Sequence, residues 1–128
     1  MRSRNKGFTL LEVLVAMTIL AVALAALVKG GSDHSRNTLY LQERTLAHWA
    51  GQNLLAEYES GMRPVAEGNR SGDAMMGPFR YGYRVAMSDY VPEAPIVLPA
   101  VKRIDVTLWL FERGEQEQRA RVSGFMLP

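Results

Sequence analysis

The chain has 128 residues, nearly half of them apolar, which is enough for one small core and too little for two independent ones. It contains no cysteine, so a disulfide framework and thiolate chemistry are excluded. The formal charge of +2 would suit a nucleic-acid partner, but Arg2, Arg4 and Lys6 lie in the first seven residues beside no acid, and without that stretch the formal sum is −1.

Residues 8–28 form an apolar run of 21 residues broken only by Thr9, Glu12 and Thr18. As a helix it would measure about 31 Å, the thickness of a hydrocarbon core of about 30 Å. A buried helix of a soluble protein would keep a polar stripe, and this run has none. Arg2, Arg4 and Lys6 precede it and only Lys29 follows at once. The positive-inside rule then predicts a cytoplasmic N-terminus, with residues 29–128 on the outer, periplasmic face of a bacterial inner membrane.

Two readings of this start compete. A secretory signal peptide would be cut at a small-x-small site such as Ala21-Val22-Ala23, but its apolar region is normally only about 7–15 residues long. Glu12 also stands five residues into the run. A carboxylate at that depth costs on the order of 2.5–3.5 kcal/mol, so an acid there is by default functional.

The stretch Lys6-Gly7-Phe8-Thr9-Leu10-Leu11-Glu12-Val13 closely resembles the type IV prepilin signature of basic leader, glycine, phenylalanine, and glutamate at the fifth mature position. The resemblance implies cleavage between Gly7 and Phe8 by prepilin peptidase and N-methylation of Phe8. It also implies that Glu12 is the assembly carboxylate, neutralising the amine of an incoming subunit. Attraction between the two groups strengthens as the surroundings become less polar. Residues 1–7 are then a cleaved leader, 8–28 a transmembrane helix and 29–128 a periplasmic domain. Ala16, Ala21, Ala23, Ala25 and Ala26 allow close helix approach, although alanine is also simply a good helix former.

Gly30-Gly31 weaken helix locally and Ser32 or Asp33 could cap a resumed one; the residues permit either a hinge or a nearly continuous spine. A helical stretch is predicted over about 33–59, with Gly61 just past its end and Pro64 beyond. Leu39, Leu46, Ala50 and Leu54 fall within about 80° of one another, with Trp49 on the flank, a stripe that should cover the domain's own sheet. Leu41, His48 and Leu55, seven apart, lie on roughly the opposite side. They are either ordinary exposed residues or a face that packs on neighbouring helices in a fibre.

Pro64, Gly68, Gly72, Gly77 and Pro78, with Asn69 and Asp73, predict a loop over residues 62–78. Three strands follow. Phe79, Tyr81, Tyr83, Val85 and Met87 alternate with Arg80, Gly82, Arg84, Ala86 and Ser88. After a connector punctuated by Pro92, Pro95 and Pro99, Ile104, Val106, Leu108 and Leu110 alternate with Asp105, Thr107, Trp109 and Phe111. Both faces of that strand are largely apolar, so it is central or its Trp109/Phe111 face is a contact surface. Gly114-Glu115 suggests a hairpin turn into a strand over 118–126. The fold class is α+β, a long N-terminal helix on a small antiparallel β-sheet.

The resemblance extends beyond the leader. Residues 43–57 (Glu43-Arg44-Thr45-Leu46-Ala47-His48-Trp49-Ala50-Gly51-Gln52-Asn53-Leu54-Leu55-Ala56-Glu57), the strand at 106–109 and the C-terminal Val122-Ser123-Gly124-Phe125 are similar to the I-type minor pseudopilins of type II secretion systems. That similarity implies a pseudopilin-like fold and a place at the pseudopilus tip with J- and K-type minor pseudopilins and other pseudopilins. It further implies initiation of the fibre that drives exoprotein export, with no cofactor or metal and no nucleic acid. The alternative is a minor pilin of a type IV pilus, for adhesion or DNA uptake. Its support is the cation–aromatic interleaving of residues 79–84, which can bind single strands, yet alternation puts those arginines and aromatics on opposite faces. An enzyme is disfavoured. His34 and His48 are the two histidines, no HExxH, GxSxG or phosphate-loop spacing occurs, and Asp33-His34-Ser35 are sequence neighbours rather than a converged triad.

Overall fold

The structure, a computed structural model, describes residues 7–65, 68–97 and 99–127; Arg2, Arg4 and Lys6 of the expected leader lie outside them. Five elements follow in order: α1 (Leu10–Glu59), β1 (Asn69–Met76), β2 (Phe79–Tyr90), β3 (Val101–Leu110) and β4 (Gln118–Met126). The chain divides into two units, one up to Leu39 and one from Tyr40, and α1 contributes residues to both.

In the first unit α1 is exposed all round, and every residue from Leu10 to Val28 lies open. Gly30 and Gly31 stand inside α1, which continues through them. Each glycine costs on the order of 1 kcal/mol relative to alanine in a helix, a cost that favourable neighbours on both sides absorb. Ser32 and Asp33 are accordingly helix-interior residues and not caps.

The second unit is a helix on a four-stranded antiparallel meander in the order β1-β2-β3-β4. Along α1 the buried residues are Glu43, Ala47, Ala50, Gly51, Leu54, Leu55 and Tyr58, one stripe at helical spacing. They meet Tyr81, Tyr83, Val85, Ile104, Val106, Leu108 and Val122 from the inner face of the sheet. β3 is central, hydrogen-bonded to β2 on one side and β4 on the other. On its outer face the Trp109 indole covers Gly82, where a methyl group would come within 2.5 Å of Nε1. Gly61, with φ at 75°, ends α1 as a left-handed cap.

Two expectations need correction. Residues 69–76 are a strand, not part of a loop: β1 pairs with β2 from Asn69↔Ala86 to Met76↔Phe79. Gly77 and Pro78 form the two-residue hairpin turn between them, and Gly77 has a φ of 58°, as the first central position of a II′ turn requires. Gly72 is not a turn residue at all. It lies opposite Tyr83, and a Cβ there would sit 2.5 Å from the Tyr83 hydroxyl, so the glycine makes room for the ring.

The predicted helix stripe is also shifted. Ala50 and Leu54 are buried as expected, but Leu39 is half exposed and Trp49 lies largely open. Burial begins at Glu43, where the sheet begins to cover the helix. Further along, Leu55 is 6% exposed. Its side chain fills the space left by Gly124, whose Cβ would lie 2.7 Å from a Leu55 methyl. At Gly51 a Cβ would meet Val122 and Leu108 at 2.7 and 2.8 Å, so helix and sheet approach closest through glycine.

Candidate functional site

Gly7 and Phe8 precede α1 and are exposed, Phe8 at 90%. The next residues build the start of the helix. The Thr9 backbone N–H donates to Glu12 Oε2 at 3.0 Å, and the Glu12 backbone N–H donates to Thr9 Oγ1 at 3.2 Å. This reciprocal pair is a capping box, which satisfies two helix-start N–H groups that otherwise lack partners. The Thr9-x-x-Glu12 spacing was the readable signal, and reading Glu12 for assembly alone missed it. A carboxylate accepts at about four lone-pair positions, so the cap leaves capacity for a further donor. Phe8, Val13, Ala16, Met17 and Leu20 line an apolar groove of about 470 Å³ beside Glu12.

The three residues expected to share one outer face do not. Leu41 is 52% exposed and His48 is exposed, but Leu55 belongs to the core. By helical angle Leu55 lies at the border of the buried arc, and the open Gly124 position draws it in. Charging Leu55 would therefore test folding; a test of an outer face belongs to Leu41 and His48.

Sequence reading also missed a buried polar network. Arg119 Nε donates to Glu43 Oε2 at 3.1 Å, with both side chains 7% exposed. The Arg119 guanidinium also reaches Glu117 at 3.3 Å and lies over the Tyr40 ring at 5.2 Å. Strand alternation would turn Arg119 away from the helix, because Ala120 opposes inward-facing Leu108. The β3–β4 register shifts at Leu108/Trp109, and that bulge re-aims Arg119 toward Glu43. No local signal could have found the pair, whose members are 76 residues apart.

Tyr81, fully buried, donates its hydroxyl to the Glu43 carbonyl at 2.7 Å. Burial first and the Glu43 carboxylate second push its pKa up to about 12, with Arg119 acting in the opposite sense. The folded value lies above the unfolded one near 10. The stabilisation is therefore complete below about pH 10 and lost as pH rises through about 12. An alkaline titration of tyrosinate absorbance should show a phase near pH 12 from Tyr81, and Tyr81→Phe should remove that high-pH phase. An unchanged high-pH phase in Tyr81→Phe would refute the assignment.

On β2 the aromatics and arginines do separate: Tyr81 and Tyr83 are buried, Arg80 and Arg84 exposed. The arginines are engaged by acids, Arg80 with Asp73 at 3.0 Å and Arg84 with Glu115 at 2.5 Å, and Arg80 lies 3.8 Å over the Phe111 ring.

An apolar helical segment that its own chain leaves uncovered, a box-capped acid at its start and a helix-on-sheet unit together define a pilin-like subunit. The comparisons give the particular kind. The prokaryotic N-terminal methylation motif matches residues 2–28, and type II secretion system protein I matches residues 41–127. Type II secretion system protein I of Pseudomonas aeruginosa is 32% identical over 128 residues, covering 96% of this chain and 95% of its own length. The protein of the same description from Xanthomonas campestris is 32% identical, over 88% of this chain and 82% of its own. That of Aeromonas hydrophila is 44% identical over 41% and 44%. The chain belongs to the type II secretion system protein I family, the I-type minor pseudopilins. Its members are structural envelope components of a secretion machinery and not an enzyme family. Membership implies work alongside other pseudopilins and processing by prepilin peptidase.

Proposed function

We infer that this chain is an inner-membrane minor pseudopilin that joins the J- and K-type minor pseudopilins at the pseudopilus tip and initiates the fibre that drives exoprotein export. The observation that carries the reading is the fully exposed apolar segment of α1, led by Gly7-Phe8 and a Glu12 held at the helix start. Such a surface is stable only under lipid or partner helices. The helix spans the membrane with its N-terminus in the cytoplasm and the sheet-bearing unit in the periplasm, as the flanking cations direct. Prepilin peptidase cuts between Gly7 and Phe8 and the new Phe8 amine is methylated. Glu12 then receives the amine of an incoming subunit.

The test co-expresses the full chain with J- and K-type minor pseudopilins and resolves the detergent-solubilised products by size exclusion. A stable heterocomplex is expected. Glu12→Gln should be processed normally and keep the Thr9 hydrogen bond, since an amide oxygen still accepts. With the charge gone, it should recover roughly tenfold less complex, a loss of about 1.4 kcal/mol. A chain that stays alone and instead binds DNA with a steep salt dependence would favour the type IV minor pilin.

A further inference from the structure

The sheet has two free edges, and beside one of them lies a built groove. β4 is terminal in the strand order; its inner neighbour is β3, and its other edge presents backbone N–H and C=O groups that no described strand pairs. An open edge of this kind is a template for another strand. Alongside it Leu41, Arg44, Thr45 and His48 of α1 face Ala120 and Arg121 of β4 across a groove of about 370 Å³.

The lining carries a charge pattern. Arg44, His48 and Arg121 line it and no acid does. Arg44 and His48 have no ion pair among the described residues; Arg121, opposite outward-facing Thr107, turns to the other face of the sheet, where it pairs with Asp105 at 3.8 Å. Arg119, which also lines the groove, is consumed below the surface by Glu43. Leu41 adds an exposed apolar side chain at one end. Leu41 to His48 measures about 10 Å along the helix, the length of about three extended residues.

The geometry points to the β4 edge as a docking site for an extended, carboxylate-bearing segment of a partner chain. The segment lies alongside β4, takes main-chain hydrogen bonds from its free edge beyond the bulge at Arg119, and sets its helix-facing acids against Arg44 and His48. Backbone pairing supplies the register, and the Arg44 guanidinium, in a lining without acids, selects an acidic segment over a neutral or basic one. A partner helix fits the site less well. It would leave the β4 edge unpaired and would need a wide apolar face where this groove offers one leucine.

The inference deepens the assembly reading and rests on it. It is tested with the full-length chain in its own host, carrying a benzophenone amino acid at Thr45, with the photo-adduct mapped by mass spectrometry. The expected adduct lies on an Asp/Glu-bearing extended segment of another pseudopilin. Arg44→Glu with His48→Glu should lower its yield on the order of tenfold, while the thermal midpoint of the detergent-solubilised chain stays unchanged because both side chains are exposed. An adduct on a partner helix or on lipid, absence of a partner adduct, or a yield indifferent to the charge reversal would overturn the proposal. If the unvaried chain co-purifies with no pseudopilin, the assembly reading itself fails. If it co-purifies while the Thr45 adduct lies elsewhere, only the β4 assignment fails.

Discussion

Glu43→Ala is expected to destabilise the sheet-bearing unit by about 3–5 kcal/mol, because it strands the Arg119 guanidinium in a site where it is 7% exposed. Domains of this size are stable by only about 5–15 kcal/mol, so the variant should stand near the limit of folding. The loss comes from an uncompensated charge, not from the worth of the pair itself, whose two desolvation costs largely offset its attraction. The double variant Glu43→Leu with Arg119→Met removes both charges and keeps similar volume. It should therefore recover most of the loss. The Tyr81 hydroxyl bonds to the Glu43 backbone carbonyl and survives both changes. Urea unfolding of the full chain in detergent, followed by tryptophan fluorescence, measures the three stabilities. A Glu43→Ala variant within 1 kcal/mol of the parent would show that solvent or Glu117 already neutralises Arg119.

Gly7→Val is expected to leave the chain at precursor length and to abolish export. A Cβ at Gly7 meets nothing within 4 Å among the described residues. The protein's own fold therefore does not require glycine there. A requirement for it, if found, comes from the peptidase that must approach the backbone at this bond. That makes the variant a clean probe: under the proposed processing, precursor and mature chain differ by residues 1–7, and gel mobility with N-terminal sequencing distinguishes them. Membrane insertion and the urea midpoint should match those of the parent. Normal cleavage of Gly7→Val, or normal export by the uncleaved chain, would remove the processing scheme.

Much of the fold was readable because the responsible forces are local and periodic. Alternation at residues 79–87 and 104–110 marks strands because large apolar side chains recur at every second position, and the Gly114-Glu115 turn marks the strand at 118–126. The apolar stretch before Lys29 marks a helix by length alone. β1 escaped because its inward positions include Gly72 and Ala74, small residues that carry no visible apolar alternation. The glycine is small because Tyr83, from the next strand, needs the space. Leu39 and Leu55 were misassigned for a related reason. Helical angle says which way a side chain points, but not where along the helix the sheet starts or whether the facing strand has a side chain to offer.

The division between what could be read and what could not follows the range of the interactions. The apolar run and the Thr9-x-x-Glu12 capping box act between residues a few positions apart, so the order of amino acids alone decided them. Three features needed the folded chain: the bulge that turns Arg119 inward to Glu43, the removal of Leu55 from the outer face, and the acid-free groove along β4. Each depends on residues brought together from distant positions by the meander, and a contact formed by chain closure leaves no period or spacing behind it.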